Sequence, residues 1–180
     1  KLSIQHLQMR WGLFTEEEKS ERFQSFGQNL IQQIDTLSAI ATEFSSFAKL
    51  PETSFSEINL GEIIKSSVDV YNGTDGVKVT FRSDIELRIN GDKDQMLRVF
   101  NNLIKNAIQA IPKDRDGFVQ VYSIKNEIGY TIVVEDNGKG ISHENESRIF
   151  IPNFTTKNSG MGLGLAMVQK IIENMGGKIH

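Results

Sequence analysis

The stretch DKDQMLRVFNNLIKNAIQAI, Asp92–Ile111, decides how the rest of the chain is read. Its apolar residues Met96, Phe100, Leu103, Ile104, Ala107, Ile108 and Ile111 recur at three- and four-residue steps, which lays one stripe along a helix. Downstream, Phe118–Lys125 and Tyr130–Glu135 are β-rich, and the short turn between them predicts an antiparallel hairpin. Upstream, Leu60–Tyr71 is helical in pattern, Val77–Arg82 alternates as a strand, and Glu86–Asn90 makes a second short one. Beyond the hairpin a polar loop runs from Asp136 to Gly160, and a last helix, Met161–Met175, stops at Gly176-Gly177. Helices gathered against a mostly antiparallel sheet predict an α+β fold, a two-layer sandwich.

The texture differs before Pro51. Phe23, Leu30, Leu37 and Phe44 recur every seven residues, and Gly27, Ile34, Ala41 and Ala48 follow each by four. This predicts one long helix, roughly residues 17 to 49, whose seven-residue repeat favours packing against partner helices. Thr15 followed by Glu18 is a capping box that would start it. Leu2–Trp11 reads as the end of a preceding helix, with a turn around Gly12–Thr15, so the segment is expected to be half of a helical hairpin. An ordinary surface helix packed on its own domain is the alternative. The expected division is residues 1–50 as a partial hairpin and 51–180 as the α+β domain.

Composition excludes several classes. The 180 residues carry no cysteine, which removes disulfides, thiolate metal sites and a thiol nucleophile. A net charge of −3 gives no bulk reason to expect nucleic acid or an anionic membrane as a partner. No run of 18 apolar residues exists.

Three short segments carry chemistry. Asp136-Asn137-Gly138-Lys139-Gly140 leaves the end of a predicted strand. It is either a turn, since these residues tolerate positive φ, or a nucleobase site. In the second reading the Asp136 carboxylate accepts from the exocyclic amine of adenine and repels the carbonyl of guanine. Gly138 and Gly140 would then let backbone approach the ligand without Cβ clashes. Gly160-Met161-Gly162-Leu163-Gly164-Leu165 opens the last helix. Either it is a flexible linker ending in a cap, or its N–H groups and the helix dipole cradle an anion. It lacks the strand of a dinucleotide motif and the Gly-Lys-Ser/Thr of a Walker A loop. Asn102 and Asn106 lie four apart on one helix face, offset from the apolar stripe. They are a solvated face, or carbonyl donors to Mg²⁺ already neutralised by a triphosphate.

Taken together these segments resemble the catalytic region of a bacterial sensor histidine kinase, of the superfamily shared with gyrase B, Hsp90 and MutL. RVFNNLIKNAIQA at 98–110 resembles the N box, DNGKG at 136–140 the G1 box, IFIPNFTTK at 149–157 the F box and GMGLGLAMV at 160–168 the G2 box. All four stand in family order, over about residues 20–180. The short lid, roughly 141–160, and its FTTK sequence resemble the nitrogen-regulation branch.

The resemblance implies a Bergerat-type ATP-binding fold and the cofactors ATP and Mg²⁺. It implies Asn106 as the metal ligand, with Asn102 its companion near the phosphates, and Asp136 as the adenine reader. It puts Gly138 and Gly140 at the base and ribose, Thr156 and Lys157 in the lid, and Gly160, Gly162, Gly164 and Leu165 at the phosphates. Asn102 and Lys157 would serve catalysis, with Lys157 on the γ-phosphate. Gln109 departs from members with lysine there, shifting phosphate contact onto Lys157. The implied activity is transfer of the γ-phosphoryl group to a histidine, and from it to an aspartate of a response-regulator receiver domain. The hairpin would dimerise in the intact protein, which works in the cytoplasm whether or not it is membrane-anchored. An ATP-gated interaction module without phosphotransfer is an alternative. An ATPase of the gyrase type is disfavoured, because Asn102 stands where those enzymes carry a general-base carboxylate.

The family's phosphoacceptor is a histidine followed by an acidic residue. Here the histidines are His6, followed by leucine, His143 in the lid and His180 at the end. The chain is therefore expected to be a fragment whose acceptor precedes Lys1 and whose last strand is cut after Ile179.

Overall fold

The computed structural model describes residues 14–48, 52–74, 76–127, 129–157 and 160–180. The predicted helix end at Leu2–Trp11, most of the following turn and the break at Pro51 lie outside them. The chain forms two compact units that part between Ser45 and Ser46.

The first unit is built on helix α1, Glu16–Ala48. The capping box forms: the Thr15 N–H donates to Glu18 Oε2 at 2.9 Å, and the Glu18 N–H donates back to Thr15 Oγ1 at 3.3 Å. The first of these bonds, to Thr15, holds the Glu18 carboxyl below its ordinary range. Phe23, Leu30, Ile34, Leu37 and Phe44 are all exposed, so the heptad stripe lies open along the helix.

The second unit runs β1 (Ser56–Asn59), α2 (Leu60–Val70), β2 (Val77–Arg82), β3 (Arg88–Gly91), α3 (Lys93–Ala110), β4 (Gly117–Asn126), β5 (Gly129–Asp136), α4 (His143–Glu146) and α5 (Gly164–Asn174). β1 and β3 pair antiparallel as a small ribbon, and the other three strands form a sheet in the order β2-β4-β5. β4 and β5 are the antiparallel hairpin expected. β2 runs parallel to β4, so the sheet is mixed.

Strand alternation sorts the sheet's faces. Val79 of β2 and Val119 and Val121 of β4 pack in the core with Ile64 and Val68 of α2, Val99, Phe100 and Ile104 of α3, and Val168 and Ile171 of α5. Residues between them, such as Lys78, Phe118 and Gln120, fall on the opposite face. α3 is the central helix. Its cap residue Asp92, 8% exposed, accepts from the Asp94 and Gln95 N–H groups and from the Ser54 N–H at 2.9–3.1 Å. Burial resists the charge on this carboxyl. The backbone donors of Gln95, Ser54 and Asp94, with the Arg98 charge, outweigh it and hold the group below the usual aspartate range.

Candidate functional site

The buried stripe of α3 fixes the helix against the sheet, which turns Asn102 and Asn106 toward the start of α5. The Asn102 Nδ2 donates to the Arg98 carbonyl one turn back at 2.8 Å, which sets its rotamer. Its Oδ1 then lies 2.8 Å from the position a Cβ would take at Gly164, and Asn106 Nδ2 lies 3.9 Å from it. A side chain at 164 would therefore push the Asn102 amide out of this position. α5 begins without a side-chain cap and without an acidic residue in its first turn. Its leading N–H groups are thus available to an anion, favoured by the helix dipole.

The G1-like turn joins the other end of α3. Lys139 N–H donates to the Ala110 carbonyl at 3.0 Å. A Cβ on Gly138 would stand 2.8 Å from the Ala110 carbonyl carbon and 2.6 Å from Asp136 Oδ1, so the turn packs too closely for any side chain there. Gly138 N–H donates to that same Oδ1 at 2.8 Å. This bond fixes the exposed Asp136 carboxylate and leaves its second oxygen for another donor. Asn137, to which the sequence reading gave no role, is a clamp. Its Oδ1 accepts from the Phe118 N–H at 2.8 Å and its Nδ2 donates to the Asp116 carbonyl at 3.0 Å, tying the turn to the first residues of β4. An Asx residue beside a strand end was the available signal.

The lid is stitched at its base. Arg148 lies over the Phe154 ring, 4.4 Å from its centroid. Gly162 takes φ +65°, and a Cβ there would collide with the Phe154 carbonyl. Lys157 reaches back to α3. Its Nζ donates to Asn106 Oδ1 at 2.8 Å and to Gln109 Oε1 at 2.6 Å. Gln109, noted in the sequence only as a departure, thus joins the site.

Asn102, Asn106, Lys157 and Gly164 come together at the middle of α3, while Asp136 and Gly138 meet at its C-terminal end. Leu165 is half-buried at the start of α5. Gly140, Thr156 and Gly160 are exposed, and among the described residues nothing crowds the would-be Cβ of Gly140 or Gly160. Among the described residues no cluster of three or more His, Asp or Glu is placed to hold a metal. Within the site two side-chain oxygens receive a cation, Asn106 Oδ1 and Gln109 Oε1, which share the Lys157 ammonium as a stand-in positive charge. A neutral amide oxygen so oriented fits Mg²⁺ carried by a polyphosphate.

Residues 91–180, half of the chain, match the family model described as Histidine kinase-, DNA gyrase B-, and HSP90-like ATPase. The chain belongs to this family. Among its relatives, nitrogen regulation protein NtrY of Azorhizobium caulinodans is 31% identical over 187 residues, covering 100% of this chain and 24% of that protein. Sensor histidine kinase ZraS of Salmonella typhimurium is 35% identical over 157 residues, 84% of this chain and 33% of its own length. The chain thus spans about a quarter to a third of these curated relatives. The nucleotide-free catalytic domain of histidine kinase ThkA superposes with a TM-score of 0.61 at 32% identity, over 68% of this chain and 82% of that one. Full-length ShkA in complex with AMPPNP shares the fold, with a TM-score of 0.72 at 22% identity over 85% of this chain and 34% of its own. The helical segment followed by an α+β domain is the architecture of histidine kinase catalytic regions, and the domain is of the ATP-binding type. Among the described residues no helix is long and apolar enough to cross a membrane.

Proposed function

We propose that this chain is the ATP-binding catalytic region of a two-component sensor histidine kinase, and that it donates the γ-phosphoryl group of Mg·ATP to a histidine outside the chain. The supporting observation is the single helix α3, which presents Asn102 and Asn106 beside the uncapped start of α5 and receives Lys157 from the lid, while the turn bearing the fixed carboxylate of Asp136 packs on its C-terminal end. In this reading one adenine nucleotide lies with its base at Asp136 and its phosphates at the start of α5. Asn102, Asn106 and the α5 N–H groups orient the phosphates, and Gly138, Gly140, Gly160, Gly162, Gly164, Leu165 and Thr156 form the surrounding wall and lid. Asn106 Oδ1 would hold Mg²⁺, whose charge would help neutralise the phosphates when bound. The acceptor imidazole nitrogen attacks the γ-phosphorus as the bond to the bridging oxygen breaks, and ADP leaves. Lys157 is the cation that serves the transferred group. Positioning and charge neutralisation supply most of such catalysis.

In this reading residues 1–50 belong to a dimerisation hairpin, to which the open stripe of α1 contributes, and 51–180 to the catalytic domain. The onward acceptor is a receiver-domain aspartate. A histidine kinase of the same fold, ThkA, has been seen in complex with its response regulator TrrA. The region works in the cytoplasm, where ATP is supplied. The test mixes this chain with γ-labelled ATP and a hairpin carrying an intact acceptor histidine. Acid-labile label on the hairpin is expected. Nucleotide binding without transfer would replace the kinase with an ATP-gated interaction module.

A further inference from the structure

The contact between the lid and α3 joins two groups assigned to different tasks. Asn106 Oδ1 is the oxygen that suits a metal, and Lys157 is the lid cation that suits a phosphate, yet here each is the other's partner. Gln109 lies one turn beyond Asn106 and turns its own oxygen onto the same ammonium. Two neutral amide oxygens converging on one positive charge make a cation seat. The Lys157 main chain is also fixed, its N–H donating to Thr155 Oγ1 at 3.1 Å.

Resting on the nucleotide site proposed above, we propose that Gln109 is a lid-positioning residue. With Asn106 it seats Lys157 in the nucleotide-free protein, so Asn106 Oδ1 becomes free for a metal only when the lid lysine leaves. Metal entry and lid release are then one exchange of cations at a single oxygen. The seat explains why glutamine serves at 109. Lysine there would repel Lys157, and an apolar residue would leave the ammonium with a single amide oxygen of this pair. It also holds the lid on α3 until nucleotide arrives, so that the lysine is delivered to the phosphates at the moment the metal takes its place.

The test uses the 180-residue chain with Lys157→Met, Gln109→Leu and the double variant. Without nucleotide, hydrogen exchange over the lid backbone should be about threefold or more faster in each single variant. The double variant should match Lys157→Met, because Gln109 acts only through the lysine. Additive effects, or unchanged exchange in both single variants, would overturn the proposal. The second readout is the ratio of the ADP dissociation constant in EDTA to that in Mg²⁺. ADP lacks the γ-phosphate, and the ratio cancels any contact the lysine makes in both conditions. Removing an internal competitor for Asn106 should raise this ratio about fivefold in Lys157→Met and about twofold in Gln109→Leu. A fall in the ratio for Gln109→Leu would make Gln109 a metal ligand and refute its part as a lid holder. If the unaltered chain bound no ADP, the nucleotide site itself would fail and the cation exchange with it. The lid exchange, measured without nucleotide, separates that failure from failure of the seat.

Discussion

Asp136→Asn is the substitution that tests the nucleobase assignment most directly. Asp136 Oδ1 is already committed to the Gly138 N–H at 2.8 Å. An asparagine must keep its carbonyl oxygen there, because turning the amide would point two donors at each other. The NH₂ group is then forced into the position of the second carboxylate oxygen, where the exocyclic amine of adenine is expected to donate. The change therefore removes a hydrogen bond to a charged acceptor, which contributes about 1.5–3 kcal/mol, and leaves donor facing donor. At 1.4 kcal/mol for each factor of ten, the adenine nucleotide weakens by roughly 10- to 150-fold. Because the turn keeps its internal bond and the residue is exposed, folding stability should move by less than about 0.5 kcal/mol. The same NH₂ complements the carbonyl of guanine, so discrimination between ATP and GTP should narrow along with the loss. Titration calorimetry with Mg·ADP and Mg·GDP, beside a thermal melt, measures all three quantities. Unchanged ADP affinity in a folded variant would refute the base-reading role. Equal weakening toward both nucleotides would place the carboxylate elsewhere than on the base edge.

Three further predictions concern neighbouring parts. Asn106→Ala should abolish the dependence of ADP affinity on Mg²⁺, read as equal dissociation constants in Mg²⁺ and EDTA, and a retained dependence would move the metal to another residue. Gly162→Ala puts a side chain at φ +65° and against the Phe154 carbonyl. The backbone term alone is about 1–2 kcal/mol, and the loss should appear as faster proteolysis of the lid and weaker nucleotide binding. Asp92→Ala, at the cap of α3, should cost about 1–2 kcal/mol, a fall in melting temperature of about 4–8 °C. The Asp92 carboxyl titrates below the ordinary 3.8 in the folded chain. Its contribution is therefore complete above 3.8 and is lost as pH falls through the lower folded value, so the melting temperatures of wild type and Asp92→Asn should converge as acid is added.

The elements legible in the sequence are those whose signals are local. Val77–Arg82 forms as its alternation predicts, and α3 ends within a residue of expectation because Asp92 caps it and Ile111 closes it. Two strand features were not legible. β1, Ser56–Asn59, is a four-residue segment without clear alternation, and it is a strand because β3 pairs with it. The parallel pairing of β2 with β4 leaves no trace either, since side chains alternate alike in both strand directions. Within the polar loop, α4 forms at His143–Glu146. The last helix begins at Gly164 rather than Met161, because Gly160 and Gly162 take positive φ and cannot continue a right-handed helix. The site follows the same division. Asn102, Asn106 and Asp136 stood out by type and spacing, but the seating of Lys157 on residues 48 and 51 positions away is a tertiary fact.

The choice between a flexible linker and a built cradle at residues 160–165 turns on what surrounds each glycine. A linker glycine needs only backbone freedom, as at Gly73 and Gly76, where positive φ is combined with open space around the missing Cβ. Gly160 is of that kind. Gly162 is not, since its conformation is left-handed and the Phe154 carbonyl already fills the place of a side chain. Gly164 differs again, being the first residue of α5 and free of positive φ. The Asn102 oxygen lies 2.8 Å from the would-be Cβ, so a side chain there would displace that amide. In the proposed nucleotide site the oxygen of Asn102 and the first N–H groups of α5 would address the same phosphate. An anion between a neutral amide and an uncapped helix start is what the proposed nucleotide site calls for at this point. The glycine run therefore holds three kinds of position: an open turn at Gly160, a left-handed turn packed on Phe154 at Gly162, and a close approach to Asn102 at Gly164.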